Sequence, residues 1–147
     1  MINAQKIKKI MEENGNRLPF LPLDEFFAEN PDEYAIAPNQ CDDGRPSLFE
    51  MYRFFSEIEK QQGIAWIRVL THCDTQVIEQ DGNEVLELYG DTVVICSNGT
   101  AESLEKIARC DWLCADEIIE RELSDYAGFS CIPQVKNGYR LFEIWWD

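Results

Sequence analysis

The 147-residue chain has a single histidine and only 13 basic residues against 28 acidic ones. It has no apolar run near the roughly 20 residues that a membrane-spanning helix needs. No G-x-G-x-x-G or G-x-x-x-x-G-K-[ST] loop is present, which removes the usual phosphate cradles. No G-x-S-x-G elbow is present for serine hydrolysis, and no EF-hand spacing for calcium. Six cysteines stand at 41, 73, 96, 110, 114 and 131, yet no C-x-x-C or H-x-x-x-H spacing occurs. The segment MINAQKIKKIMEENGN lacks the continuous apolar stretch of a secretory signal. The expectation is a cytoplasmic, soluble protein with reduced thiols and no cofactor.

The scarcity of positive charge is uneven. Residues 1–17 hold four basic residues and two acids, and residues 18–147 hold nine basic against 26 acidic. The formal net charge is −15. Such a field repels nucleic-acid backbones and anionic lipid, so neither is an expected partner. It attracts a basic protein. Hydrophobic residues make up 45%, enough for one domain of this length to bury a core without metal or disulfides.

Residues 2–13 carry Ile2, Ile7, Ile10 and Met11 at helical spacing, and Asn14-Gly15-Asn16 ends that helix. LPFLPL reads as irregular because of its prolines. In LDEFFAENPD, Leu23, Phe26 and Phe27 share the face of a short helical turn. YAIAPN reads as a first strand and NQCDDGRP as a loop. SLFEMYRFFSEIEKQQG is the clearest helix. Ser47 and Glu50 form a capping box, Leu48, Met51, Tyr52, Phe55 and Ile58 make the buried stripe, and Gly63 terminates it.

IAWIRVLTHC is strand, with Ala65, Ile67, Val69, Thr71 and Cys73 on one face and Ile64, Trp66, Arg68, Leu70 and His72 on the other. Asp81-Gly82-Asn83 marks a turn, so residues 74–91 read as a hairpin or an excursion. DTVVICSNGT is a buried strand. Thr100 caps a helix through Leu104, Ile107 and Ala108, and a second helix is expected from about Asp116. GFSCIPQVKNG is loop. YRLFEIWWD is the last strand, with Phe142, Ile144 and Trp146 on the core face and Leu141, Glu143 and Trp145 on the other.

From residue 34 onward the order is strand, helix, strand, strand, helix, strand. That implies an α+β domain with a ferredoxin-like βαββαβ sheet and helices on one face. Residues 1–30 are its N-terminal helical extension and 34–147 the sheet core. The uncovered face would present Trp66, Arg68, Leu70, His72, Leu141, Glu143 and Trp145 as an interaction surface. The N-terminal helix, through Ile7, Ile10 and Met11, is one alternative cover for it, and homodimerisation is another. For metal, His72 with Cys96, Cys110 and Cys114 are the candidates. His72 and Cys73 point to opposite faces of a strand and cannot share an ion without a bulge. No catalytic residue is assigned, and an enzyme is the least favoured reading.

The segments LDEFFAENPDEYAIAPN, SLFEMYRF, DTVVICSNGTAESLEKI, ADEI and WWD, in that order, resemble a family of small acidic bacterial proteins of uncharacterised function. The resemblance covers about residues 21–147 and leaves the N-terminal helix outside. Tyr34 and Ala35 stand where that pattern has small polar residues, and Ser47-Leu48-Phe49 replaces a more proline-rich entry. The resemblance implies a bacterial, cytoplasmic, single-domain protein and brings no activity. The acidic field and the aromatic sheet face favour a non-enzymatic protein-interaction module, a profile that an immunity or inhibitor role would fit. The second reading is a small-ligand regulatory module.

Overall fold

A computed structural model describes residues 1–147. Six strands make one mixed sheet. They are β1 (Leu18–Pro22), β2 (Ile64–Thr71), β5 (Gly90–Ser97), β6 (Glu117–Arg121), β7 (Phe129–Ser130) and β8 (Arg140–Trp145). The spatial order is β6-β8-β5-β2-β1-β7, antiparallel throughout except that β7 runs parallel to β1. The chain is therefore α+β, but this order differs from a simple βαββαβ.

Between β2 and β5 the chain leaves the sheet as a separate hairpin, β3 (Gln76–Gln80) and β4 (Asn83–Glu87). Asp81 and Gly82 both take positive φ at its tip, as the turn signal there requires. No helix is long and apolar enough to cross a membrane.

Three local expectations are corrected. The first strand is Leu18–Pro22, in the proline-rich stretch, and not YAIAPN. Its backbone fits because it sits beside the two-residue β7 at the sheet's margin, where proline's missing donor is tolerated. In YAIAPN only Ile36 makes a bridge, to Gly90. Ala37 then turns left-handed at φ 48° and Pro38 opens a 3-10 turn through Asp43, so no ladder can extend. The helix expected from Asp116 is the edge strand β6. Cys114 at φ 54° breaks the preceding turn, and the β-branched Ile118 and Ile119 pair with Ile144 and Glu143 of β8.

Helices α1 (Ala4–Glu13), α2 (Leu23–Phe27), α3 (Leu48–Glu59), α4 (Ala101–Ala108) and the short α5 (Cys110–Leu113) gather on one sheet face. The α3 capping box is formed. Glu50 accepts from the Ser47 backbone and hydroxyl, which holds its carboxyl below the usual range. Gly63 follows α3 at φ +87°, a left-handed conformation that favours glycine. Thr100 caps α4.

The helix-side core joins Phe26, Met51 and Phe55 to Ile67, Val69, Val93, Ile95, Phe142 and Ile144 of the sheet. Ile2 and Ile7 enter this same core, with Ile10 and Met11 packed against it. The N-terminal helix thus lies on the helical side and does not cover the opposite face.

That opposite face is not open either. Residues 122–139 run across it as an irregular strap. Phe20, Trp66, Leu70, Val94, Cys96 and Leu141 form a second core there with Tyr126, and Phe129, Ile132, Val135 and Tyr139 pack against it. Phe20 meets Tyr126 and Phe129 edge-on, with centroids 5.2 and 5.6 Å apart, a favoured aromatic geometry. The sequence reading took most of this strap for plain loop, because apolar residues at every third position match neither the alternation of a strand nor the stripe of an α-helix.

Candidate functional site

The expected interaction surface is split by the fold. Trp66 is only 6% exposed, and its Nε1 donates to the Gln134 carbonyl at 3.2 Å. Arg68 lies over the Trp66 ring, with 5.8 Å to the centroid, and pairs with Glu59 at 3.5 Å. Glu143 accepts from the Tyr126 hydroxyl at 2.7 Å and faces Arg121 at 3.5 Å. Burial, with the Glu143 carboxylate beside it, pushes the Tyr126 phenol up. Leu70 and Leu141 are buried. Trp66, Leu70, Leu141 and Glu143 hold the strap to the sheet. His72 and Trp145, at the other end, are brought together in a cavity.

The cavity is built by the hairpin's base. Strand β2 shifts register at Leu70/Thr71 and ends. The His72 amide donates to the Tyr89 carbonyl at 2.7 Å, and the Thr75 amide returns to the His72 carbonyl at 2.9 Å. The Thr75 hydroxyl then staples to both backbone groups of Tyr89. The hairpin therefore leaves and re-enters the sheet at one point, which fixes His72 and Asp74 opposite Tyr89 and Asp91.

Gly90 lets a third segment approach. Its amide donates to the Ala35 carbonyl at 2.7 Å. A Cβ there would meet Val69 Cγ1 at 3.0 Å and Phe26 Cε2 at 3.1 Å, so a larger residue would have to push these side chains aside by a few tenths of an ångström. This contact brings Tyr34 to the rim. Strand β8 closes the far side. The Trp146 amide donates to the Asp91 carbonyl at 3.0 Å, and Asn39 and Gln40 both donate to the Asp147 carbonyl.

The cavity is open on one side and has a volume of about 520 Å³. Tyr34, Tyr89, Trp145 and Trp146 supply aromatic wall, and Asp74, Asp91 and Asp147 supply carboxylates. No lysine or arginine lines it. His72 sits between two acids: Nδ1 is 3.4 Å from Asp74 Oδ2, and Nε2 is 3.7 Å from Asp91 Oδ2. The Asp74 amide donates to Nδ1 at 3.1 Å. Aromatic faces beside carboxylates attract a cation, and they do so more strongly where the site excludes water.

The expected metal set does not assemble. Cys96 pairs with Trp66 in register, some six residues along β2 from His72, or about 20 Å. It is fully buried in the second core, and burial pushes its thiol up to about 11. Cys110 is the first residue of α5 and Cys114 follows its last, and Cys114 Sγ lies 3.9 Å from the Asp43 carbonyl. All six cysteines are free. The only cluster of three or more metal-ligating side chains is His72, Cys73 and Asp74.

The raised Cys96 pKa sets a pH dependence. The folded state holds this proton more tightly than the unfolded state. Its contribution to stability is full below about pH 9 and is lost as pH rises toward about 11. Alkylation mapped by mass spectrometry at pH 8 should label the exposed Cys73 and Cys131 first and Cys96 only on unfolding. Early labelling of Cys96 would show that the strap opens readily.

Sequence reasoning missed Tyr34, Asp74, Tyr89 and Asp91 as neighbours. The signal for three of them was present. The turn at Asp81-Gly82-Asn83 centres a hairpin, and counting outward from it sets residues 72–75 against 88–91.

A family model described as the uncharacterised protein YfbO family matches residues 2–144. The match takes in α1, which the sequence resemblance left outside. No curated protein and no solved structure matches the chain.

Proposed function

The chain belongs to the YfbO family of uncharacterised proteins, and from that premise we propose that it is a non-enzymatic binding module that captures a basic protein. The cavity beside His72 would take a lysine or arginine side chain of the partner. One observation carries this reading: two tyrosines, two tryptophans and three aspartates line one cavity with no lysine or arginine among them. The net charge of −15 would steer the basic partner toward it. An immunity or inhibitor role in the bacterial cytoplasm fits that profile, and free thiols suit a reducing compartment. The second reading, a small-ligand module, uses the same cavity for a free organic amine.

The test is tryptophan fluorescence against short peptides. One carries a single arginine, and its control carries citrulline, which keeps the shape and removes the charge. The arginine peptide is expected to bind and to weaken with salt. Asp91→Asn is expected to weaken it about fivefold, the order of one unit charge at partial exposure. Equal binding of the citrulline peptide would sink the cationic reading. Binding of free amines but not of the peptide would favour the small-ligand module.

A further inference from the structure

We propose that His72, Cys73 and Asp74 form a binding site for a zinc-type divalent metal ion. The three side chains offer an imidazole nitrogen, a thiol sulfur and a carboxylate oxygen that all lie within 4.8 Å of one another. Nδ1 of His72 is 3.4 Å from Asp74 Oδ2, and Cys73 Sγ lies 3.9 Å from both ring nitrogens. A tetrahedral ion with bonds of about 2.0–2.3 Å sets its ligand atoms roughly 3.3–3.7 Å apart. The side chains are within a few tenths of an ångström of that spacing along both of these pairs.

The local backbone explains how neighbours in sequence reach one ion. Opposed directions hold only while the chain is extended. Here β2 has ended at Thr71, and the Thr75-to-His72 hydrogen bond closes a turn over 72–75. The turn carries Cys73 round to the imidazole.

The ligand types select the ion. Thiolate with imidazole suits zinc-like borderline ions and disfavours magnesium and calcium, which take oxygen. Asp91 completes the arrangement from β5. Its carboxylate lies 3.7 Å from Nε2, outside hydrogen-bonding distance, and its charge favours the tautomer that keeps the proton on Nε2 and leaves Nδ1 for the ion. Such outer partners fix the tautomer of a ligating histidine. Asp91 is thus a positioning residue.

Binding is a ligand exchange with no redox change. The ion loses bound water, the Cys73 thiol releases its proton to solvent, and the Asp74 amide gives up its hydrogen bond to Nδ1. That exchange makes the site weaker than a closed four-ligand one. Three protein ligands leave a fourth position for water or a group in the adjoining cavity, which His72 and Asp74 also line. The site does not rest on the cationic-peptide reading: Cys73 is not on the cavity wall, and Trp145 contributes no ligand atom.

The test is Co(II) titration of the full chain under reducing, metal-free conditions, read by absorbance. The expected result is a saturable one-to-one thiolate-to-cobalt charge-transfer band that Zn(II) displaces. Cys73→Ser removes the band although the other five thiols remain. His72→Ala weakens binding strongly, and Asp91→Asn keeps the band with affinity lower by about tenfold. Trp145→Ala leaves the titration unchanged while it abolishes arginine-peptide binding. A band that survives Cys73→Ser, or Zn(II) that fails to compete at one equivalent, overturns the proposal. Thermal melts of the variants check the fold, which the exposed Cys73 should not disturb.

Discussion

Trp146→Ala is expected to lower the melting temperature by about 10 °C. Trp146 is 3% exposed and belongs to the helix-side core. Its Nε1 donates to the Leu113 carbonyl at 2.9 Å, which ties β8 to the end of α5. Removing a buried tryptophan costs about 3–5 kcal/mol through lost burial and the cavity left behind. For a domain of this size each kcal/mol moves the midpoint by roughly 2–4 °C. Trp146→Phe separates the two effects. It keeps most of the packing and strands the Leu113 carbonyl, for about 1–3 kcal/mol. A Trp146→Ala melt within about 2 °C of the parent would mean that β8 is held by its ladder alone.

Phe20→Ala is expected to cost a similar 3–5 kcal/mol, with a different distribution. Phe20 is 1% exposed, on the strap side of β1. Its ring touches Trp66, Tyr126 and Phe129, so its loss takes the centre from the second core. Hydrogen exchange followed by mass spectrometry should show lost protection across residues 122–139. The helices, packed on the other core, should keep theirs at temperatures below the new midpoint. Uniform loss over the chain would show that the two cores melt as one unit.

Where a pattern was local and regular, it could be read from the residues. The α3 helix with its Ser47/Glu50 box, the Thr100 cap, the hairpin turn and the two faces of β8 are all set by near neighbours. The misses share another cause. Leu18–Pro22 becomes a strand because β2 and β7 flank it, and residues 117–121 become a strand because β8 offers an edge. Both outcomes depend on distant partners, which override local propensity. The strap was invisible for the same reason. Phe129, Ile132 and Val135 recur every third residue, a spacing of neither strand nor α-helix, yet the sheet gave them a place to pack. Once it did, Trp66 ceased to be surface. The cavity was half legible: His72 and Trp145 were singled out, while Tyr34 reaches them only through the Gly90 contact.

The sheet ends on β6, and the outer edge of a sheet is a template for fibres. This one is five residues long and carries Glu117, Glu120 and Arg121 exposed along it. An incoming copy laid against that edge would bring further acids from a chain already at −15. The opposite edge, β7, is two residues long and too short to seed a ladder. A concentrated solution of this protein is thereby protected from stacking edge to edge.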